Sequence, residues 1–151
     1  MQEIQTSRFG VVSVNDDQIL TFSRGLIGFA KALQFALLPA PDNDGFYWLQ
    51  ATTDPDLAFL VTDPTPFFKD YDVPIREETQ QDLNLADTKD GRVLVICNRV
   101  GEWLTGNLLG PLVINTANRN GLQVVLTEKK WTCRQPLTRL GTVERAMAQA
   151  A

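Results

Sequence analysis

Residues 23–39 read SRGLIGFAKALQFALLP, and the placing of two glycines in this stretch decides what kind of fold follows. Gly25 and Gly28 bracket Leu26 and Ile27, Phe29 comes next, and a second apolar segment starts almost at once. Glycines so placed serve a phosphate cradle, a membrane-touching loop, or a bend seated in a hydrophobic core. A phosphate cradle needs GxGxxG or GK[ST] spacing and a long helix behind it, and GLIG has neither. A membrane loop needs flanking basic residues, and only Arg24 and Lys31 are near. What remains is a tight bend that requires positive φ or close backbone approach, with Leu26, Ile27 and Phe29 expected to turn inward. Gly25 and Gly28 are therefore read as structural residues.

Working outward from the bend, strand signals recur. LQFALLP (33–39) alternates at Leu33, Phe35 and Leu37, which places these three on one face of a strand. Upstream, GVVSV (10–14) and QILTF (18–22) flank NDD (15–17) and read as a hairpin. Downstream, PAPDNDG (39–45) is a loop, and FYWLQAT (46–52) and LAFLVT (57–62) are strands around the turn TDPD (53–56). The second of these is apolar on both faces, as in a covered or central strand. Prolines 64, 66 and 74 keep residues 63–75 out of an interior strand. REETQQDLNL (76–85), with its acids early, is the candidate helix. RVLVICNRV (92–100) is a strand, GEW (101–103) a turn, and residues 104–117 two extended pieces broken at Gly110-Pro111. The Asn-Gly of NRNG (118–121) marks a hairpin into LQVVLT (122–127), and KWTCR (130–134) adds a last short strand. This pattern predicts a mostly β chain, a small antiparallel β-barrel-like domain with one or two short helices. Residues 1–136 form the domain, and residues 137–151 are a short Ala-rich tail, either helical or disordered.

Composition narrows the function. The chain has 151 residues, which suits one hydrophobic core, with 44% hydrophobic and 21% charged residues. Its 18 acidic and 14 basic residues give a net charge of −4, the wrong sign for direct binding of nucleic acid and the right one for a basic protein, though also an ordinary charge for solubility alone. No stretch approaches the roughly 20 apolar residues of a membrane span, and no apolar leader opens the chain. Its two cysteines, Cys97 and Cys133, form no CxxC pair. Two such thiols fit a reducing cytoplasm, and Cys97 inside VLVIC reads as a buried, inert one. No cofactor or metal site is expected.

Histidine is absent, which removes the commonest general base and the commonest zinc ligand. No SxxK or GxSxG supplies a nucleophile. Asp54, Asp56, Asp63, Asp70 and Asp72 cluster in sequence, but most flank prolines as ordinary turn residues and none completes a D-x-[DN]-x-[DN]-G loop. The reading is therefore not an enzyme but a recognition module. Its candidate partner surface is PFFKDYD (66–72) with Asp63: Asp63, Phe67, Phe68, Asp70, Tyr71 and Asp72, an aromatic and acidic mixture typical of interfaces, with the alternative that Phe67 or Phe68 plugs the open end of the barrel. Trp103, at a turn tip, is added as a possible exposed anchor, with folding back into the core as its alternative. Asn107 and Asn115 in NLLGPLVIN are read as structural, locking bends through Asx-type hydrogen bonds.

GLIGF, LQATTDPDLAFLVTDP (49–64) and NLLGPLVINTANRNGLQVVL (107–126), in this order, resemble the flagellar assembly factor FliW family, over about residues 5–136. The resemblance implies a cytoplasmic β-barrel-type protein, monomeric when free, that binds two proteins and catalyses nothing. One is flagellin; the other is CsrA, an RNA-binding regulator that represses flagellin synthesis. Flagellin held in the cytoplasm would occupy the protein and leave CsrA free to repress; exported flagellin would release it to capture CsrA. It further implies an apolar groove near a barrel edge as the receiver for flagellin. The rival reading, from fold class alone, is an OB-like barrel that binds single-stranded nucleic acid or a small ligand. That barrel wants aromatic platforms in a basic groove, whereas here the aromatics sit among acids.

Overall fold

Alternation along the strands makes sense once both faces of the sheet are seen to be covered. The computed structural model describes residues 1–41 and 43–140. Its strands are β1 (Gln2–Thr6), β2 (Gly10–Val14), β3 (Ile19–Thr21), β4 (Gln34–Pro39), β5 (Phe46–Ala51), β6 (Ala58–Thr62), β7 (Gly91–Val100), β8 (Trp103–Gly106), β9 (Leu112–Asn115), β10 (Asn120–Gln123) and β11 (Gln135–Arg139). One helix, α1 (Glu77–Leu83), lies between β6 and β7.

Seven strands close a barrel in the order β7-β6-β5-β4-β3-β10-β9, with β9 pairing back to β7. Every pairing is antiparallel except β3 with β10, a parallel contact at Thr21 and Asn120. The ten-residue β7 makes closure possible: residues 91–94 pair with β9, residues 97–100 with β8. β11 then extends the sheet beyond β8.

The barrel interior holds Phe22, Leu26, Phe35, Leu49, Val61, Leu94 and Leu112. The alternate residues of the same strands, Leu38, Trp48, Leu60 and Cys97, lie in a second cluster with Ile4 and Val14 of the β1–β2 hairpin. Each buried Leu or Phe contributes about 1.5–3 kcal/mol, so both faces hold the fold, and the strands read as apolar runs. A third cluster joins Val113 to Leu83 of α1 and to Val73, and a fourth packs Val95 and Leu108 on Trp131.

The helix starts with Glu77 and Glu78 in its first turn, where acids complement the helix dipole. It stops at Asn84, which takes the left-handed conformation at φ 51° and donates its N–H to the carbonyls of Gln80 and Gln81. No helix among the described residues is long and apolar enough to cross a membrane.

Several expectations need correction. GVVSV does not form a hairpin with QILTF: β2 pairs with β1 through a turn in which Gly10 takes φ 69°. Asp16–Gln18 coil into a single 3-10 turn instead, which carries the chain from that hairpin to the barrel. Phe35 and Leu37 share the interior cluster, but Leu33 precedes β4 and is exposed. The β9–β10 hairpin exists, yet Asn120-Gly121 lie within β10, and the positive φ of the turn falls on Arg119, at 64°. The last strand is not 130–134 but β11, which also crosses the boundary expected at residue 136. Leu140 behind it is buried in the cluster that also holds Ile4 and Val14. Residues 141–151, the greater part of the expected tail, lie outside the described residues.

Candidate functional site

The loop after β6 is built from short-range turns. Asp63 accepts the N–H of Thr65 at 2.8 Å in an Asx turn, the amides of Phe67 and Phe68 converge on the Pro64 carbonyl at 3.0 Å, and Tyr71 N–H reaches Phe68 at 3.2 Å. These turns bring Asp63, Phe67, Phe68, Asp70, Tyr71 and Asp72 together, but they sort the side chains by polarity. Phe67 meets Phe46 edge-on with ring centres 6.3 Å apart. Phe68 and Tyr71 both meet Trp131 edge-on, at 5.3 and 5.4 Å. The Tyr71 hydroxyl donates to the Leu108 carbonyl at 2.7 Å. All three rings are half-buried, so they anchor the loop, while Asp70 and Asp72 stay exposed.

Electrostatics in this loop follow from that sorting. Lys130 pairs with Asp70 and stands 5.0 Å from the Trp131 ring centre. Its hydrogen bond holds the Asp70 carboxyl below the usual range. Burial, aided by the negative charge of Glu128, raises the Tyr71 phenol well above its ordinary value. The exposed product is an acidic rim over an aromatic base.

Trp103 stands elsewhere, opposite Val100 at the tip of the β7–β8 hairpin, where the two residues are 43% and 42% exposed. Arg139, ion-paired to Glu102 at 2.8 Å, lies 6.0 Å from its ring centre.

The bend that opened the sequence reading forms a second surface. Gly25 and Gly28 take φ 67° and 87°. Phe29 N–H bonds the Leu26 carbonyl at 2.7 Å, which makes 26–29 a turn with glycine at its third position, as a type II turn requires. The second position of such a turn is its tip, and Ile27 occupies it, 65% exposed. Leu26 points inward as expected; Ile27 does not, and Phe29 is 41% exposed while its ring packs edge-on against Phe59 at 5.1 Å. Beside them lies a cavity of about 540 Å³, with Phe29, Ala30, Ala32 and Leu57 on its walls and Lys31 and Asp54 also lining it. Gln50, fully buried, sets its amide nitrogen within 3.1–3.3 Å of the carbonyls of Ala51, Asp54, Pro55 and Leu57, and so holds the turn from which Asp54 and Leu57 line the cavity.

Sequence reasoning missed this apolar surface because GLIGF was taken whole as core. The available signal was the position of Ile27 between two glycines that both need positive φ.

The asparagines act on backbone. Asn107 Oδ1 accepts the amides of Leu109 and Gly110 at 3.2 and 3.0 Å, and Asn115 Oδ1 accepts that of Ala117 at 2.9 Å.

Comparison with known proteins is consistent along nearly the whole chain. A sequence model described as FliW protein matches residues 3–137. The flagellar assembly factor FliW of Moorella thermoacetica is 36% identical over 138 residues, covering 89% of this chain and 87% of the relative. That of Bacillus subtilis (strain 168) is 34% identical over 136 residues, covering 89% and 95%. A crystal structure of the flagellar assembly factor FliW superposes with a TM-score of 0.82 at 30% identity, over 91% of this chain and 97% of that one.

Proposed function

The chain belongs to the FliW family of flagellar assembly factors, and from that premise we propose that it works in the cytoplasm as a non-enzymatic partner switch between flagellin and CsrA. Free as a monomer, it sequesters CsrA and so relieves repression of flagellin synthesis. When flagellin accumulates, it takes the protein away and CsrA represses again. Coupling of this kind is reciprocal: whatever factor flagellin imposes on CsrA affinity, CsrA imposes on flagellin affinity.

The observation that carries the reading is the sorting of the 63–72 loop. Aromatic rings fix the loop from beneath and leave Asp70 and Asp72 in solvent, on a chain of net charge −4. An RNA-binding regulator needs Lys or Arg to hold phosphates, so an acidic rim competes for the same groups and steers their approach. The apolar surface around Ile27, Phe29 and the neighbouring cavity suits flagellin, whose unassembled ends expose apolar helix faces.

Titration calorimetry of the purified protein with CsrA from the same organism, alone and after saturation with flagellin, tests the switch. Tight binding that flagellin weakens is the expected result. Equal affinity with and without flagellin would leave two independent faces, and no binding to either protein would remove the proposal.

A further inference from the structure

The extended backbone does not end with β10. Val124 donates its N–H to the Pro111 carbonyl at 2.9 Å and Leu126 to that of Leu109 at 2.8 Å. Their side chains pack with Leu122 into the cluster that holds Val73 and Leu83. In an extended chain successive backbone groups point to opposite edges, so the N–H and C=O of Val125 and Thr127 face away from residues 109–111. Neither residue makes a hydrogen bond among the described residues. β3 cannot supply one, because its pairing with β10 is confined to Asn120.

This edge borders a groove of about 270 Å³, whose other wall is Pro74, Arg76, Glu78 and Thr79. Val125 is 66% exposed. Gln123, two residues earlier, accepts the N–H of exposed Ile27 at 2.8 Å, so a second apolar side chain is fixed close to the same strand.

We propose that the Val125–Thr127 edge is a docking site for an extended segment of a partner protein, apolar and basic in alternation, which adds as a further strand. An open row of alternating donors and acceptors is a template for strand addition, where main-chain bonds give affinity and side chains give specificity. Charge selects the occupant: Glu78 and Glu128 line the groove against the single cation Arg76, and the whole chain is acidic. Residues 74–79 line the same groove as the edge, and a space of about 270 Å³ suits one slender chain rather than the edge strand of a second copy. Such a segment could belong to any basic partner protein, so the docking site does not depend on flagellin and CsrA being the partners.

The test uses a short capped peptide of alternating lysine and valine, with amide exchange followed residue by residue in the full-length protein. Saturating peptide should slow exchange at Val125 and Thr127 by about tenfold or more, and should change Val124 and Leu126 little, since these are already bonded. Val125→Pro removes the outward N–H and spares both inward bonds, so it should weaken peptide binding about tenfold, whereas Val125→Thr should not. A glutamate–valine peptide should bind more weakly than the lysine one. Protection absent from Val125 and Thr127, or protection that grows with protein concentration without any peptide, would overturn the proposal. So would undiminished binding by a folded Val125→Pro variant. Should that variant fail to fold, the exchange pattern of the unsubstituted protein decides alone.

Discussion

The buried amide of Asn115 donates to the carbonyl of Leu83 at 3.0 Å, and also to that of Asn84 at 3.2 Å, tying the end of α1 to the end of β9. The same side chain accepts the Ala117 amide, so one residue closes the helix and starts the β9–β10 turn. Helix ends leave carbonyls without intrahelical partners, and a buried carbonyl left so costs about 1–3 kcal/mol.

Asn118 also donates to the Leu83 carbonyl, at 2.9 Å, so Asn115→Ala strips partners from the Asn84 carbonyl and the Ala117 amide and should destabilise the fold by about 1–3 kcal/mol, with Asn115→Asp at least as harmful because a carboxylate would face two carbonyl oxygens. Urea unfolding followed by fluorescence measures both. A loss under 1 kcal/mol in each variant would mean that water replaces the amide at no cost.

Two glycines of the bend should respond differently to alanine. A Cβ on Gly25 would lie 2.7 Å from Ala30 Cα and 2.8 Å from the Phe29 carbonyl, both backbone atoms, whereas one on Gly28 would meet nothing within 4 Å. Gly28→Ala bears only the left-handed conformational penalty, about 1 kcal/mol, while Gly25→Ala adds a clash that the turn cannot relieve without moving. Thermal unfolding should rank Gly25→Ala well below Gly28→Ala, and equal losses would refute the steric account.

Alkaline pH should weaken the fold. Burial pushes the Cys97 thiol up to about 12 from an ordinary 9.0, and raises the Tyr71 phenol as well. The folded chain keeps protons that the unfolded chain releases, so this stability is complete below about pH 9 and is lost as pH rises toward 12. Each such group lowers stability by at most about 1.4 kcal/mol per pH unit inside its window. Urea midpoints from pH 8 upward should fall, and Cys97→Ala should flatten the slope even though it starts from a less stable protein. An unchanged slope would assign the loss to other groups.

Charge reversal at the acidic rim separates recognition from stability. Asp70→Lys with Asp72→Lys leaves Phe67, Phe68 and Tyr71 packed and gives up only the exposed Asp70–Lys130 pair, so the unfolding midpoint should fall little. CsrA affinity should fall about tenfold, mainly through slower association, and the difference should shrink in high salt. Affinity equal to that of the unsubstituted protein would discard this loop as the CsrA surface.

The amino-acid sequence by itself determined the local conformations: the strands of the barrel, the helix at 77–83, the proline-bounded loop, and a bend at Gly25 and Gly28. These follow from side-chain branching, proline and glycine chemistry within a few residues, and the order of motifs added the family. Tertiary structure decided which strands meet and which apolar residues stay outside. β2 chose β1 rather than β3 because Asp16–Gln18 coil, and both faces of β5 and β6 are covered, so no alternation remained to fix the partners. Phe67, Phe68 and Tyr71 turned under their loop because Phe46 and Trp131, distant in sequence, offered rings to pack on. Ile27 turned outward because a type II turn displays its second residue. Hydrophobicity states what a side chain prefers; only the neighbours that long-range pairing brings decide whether it is covered.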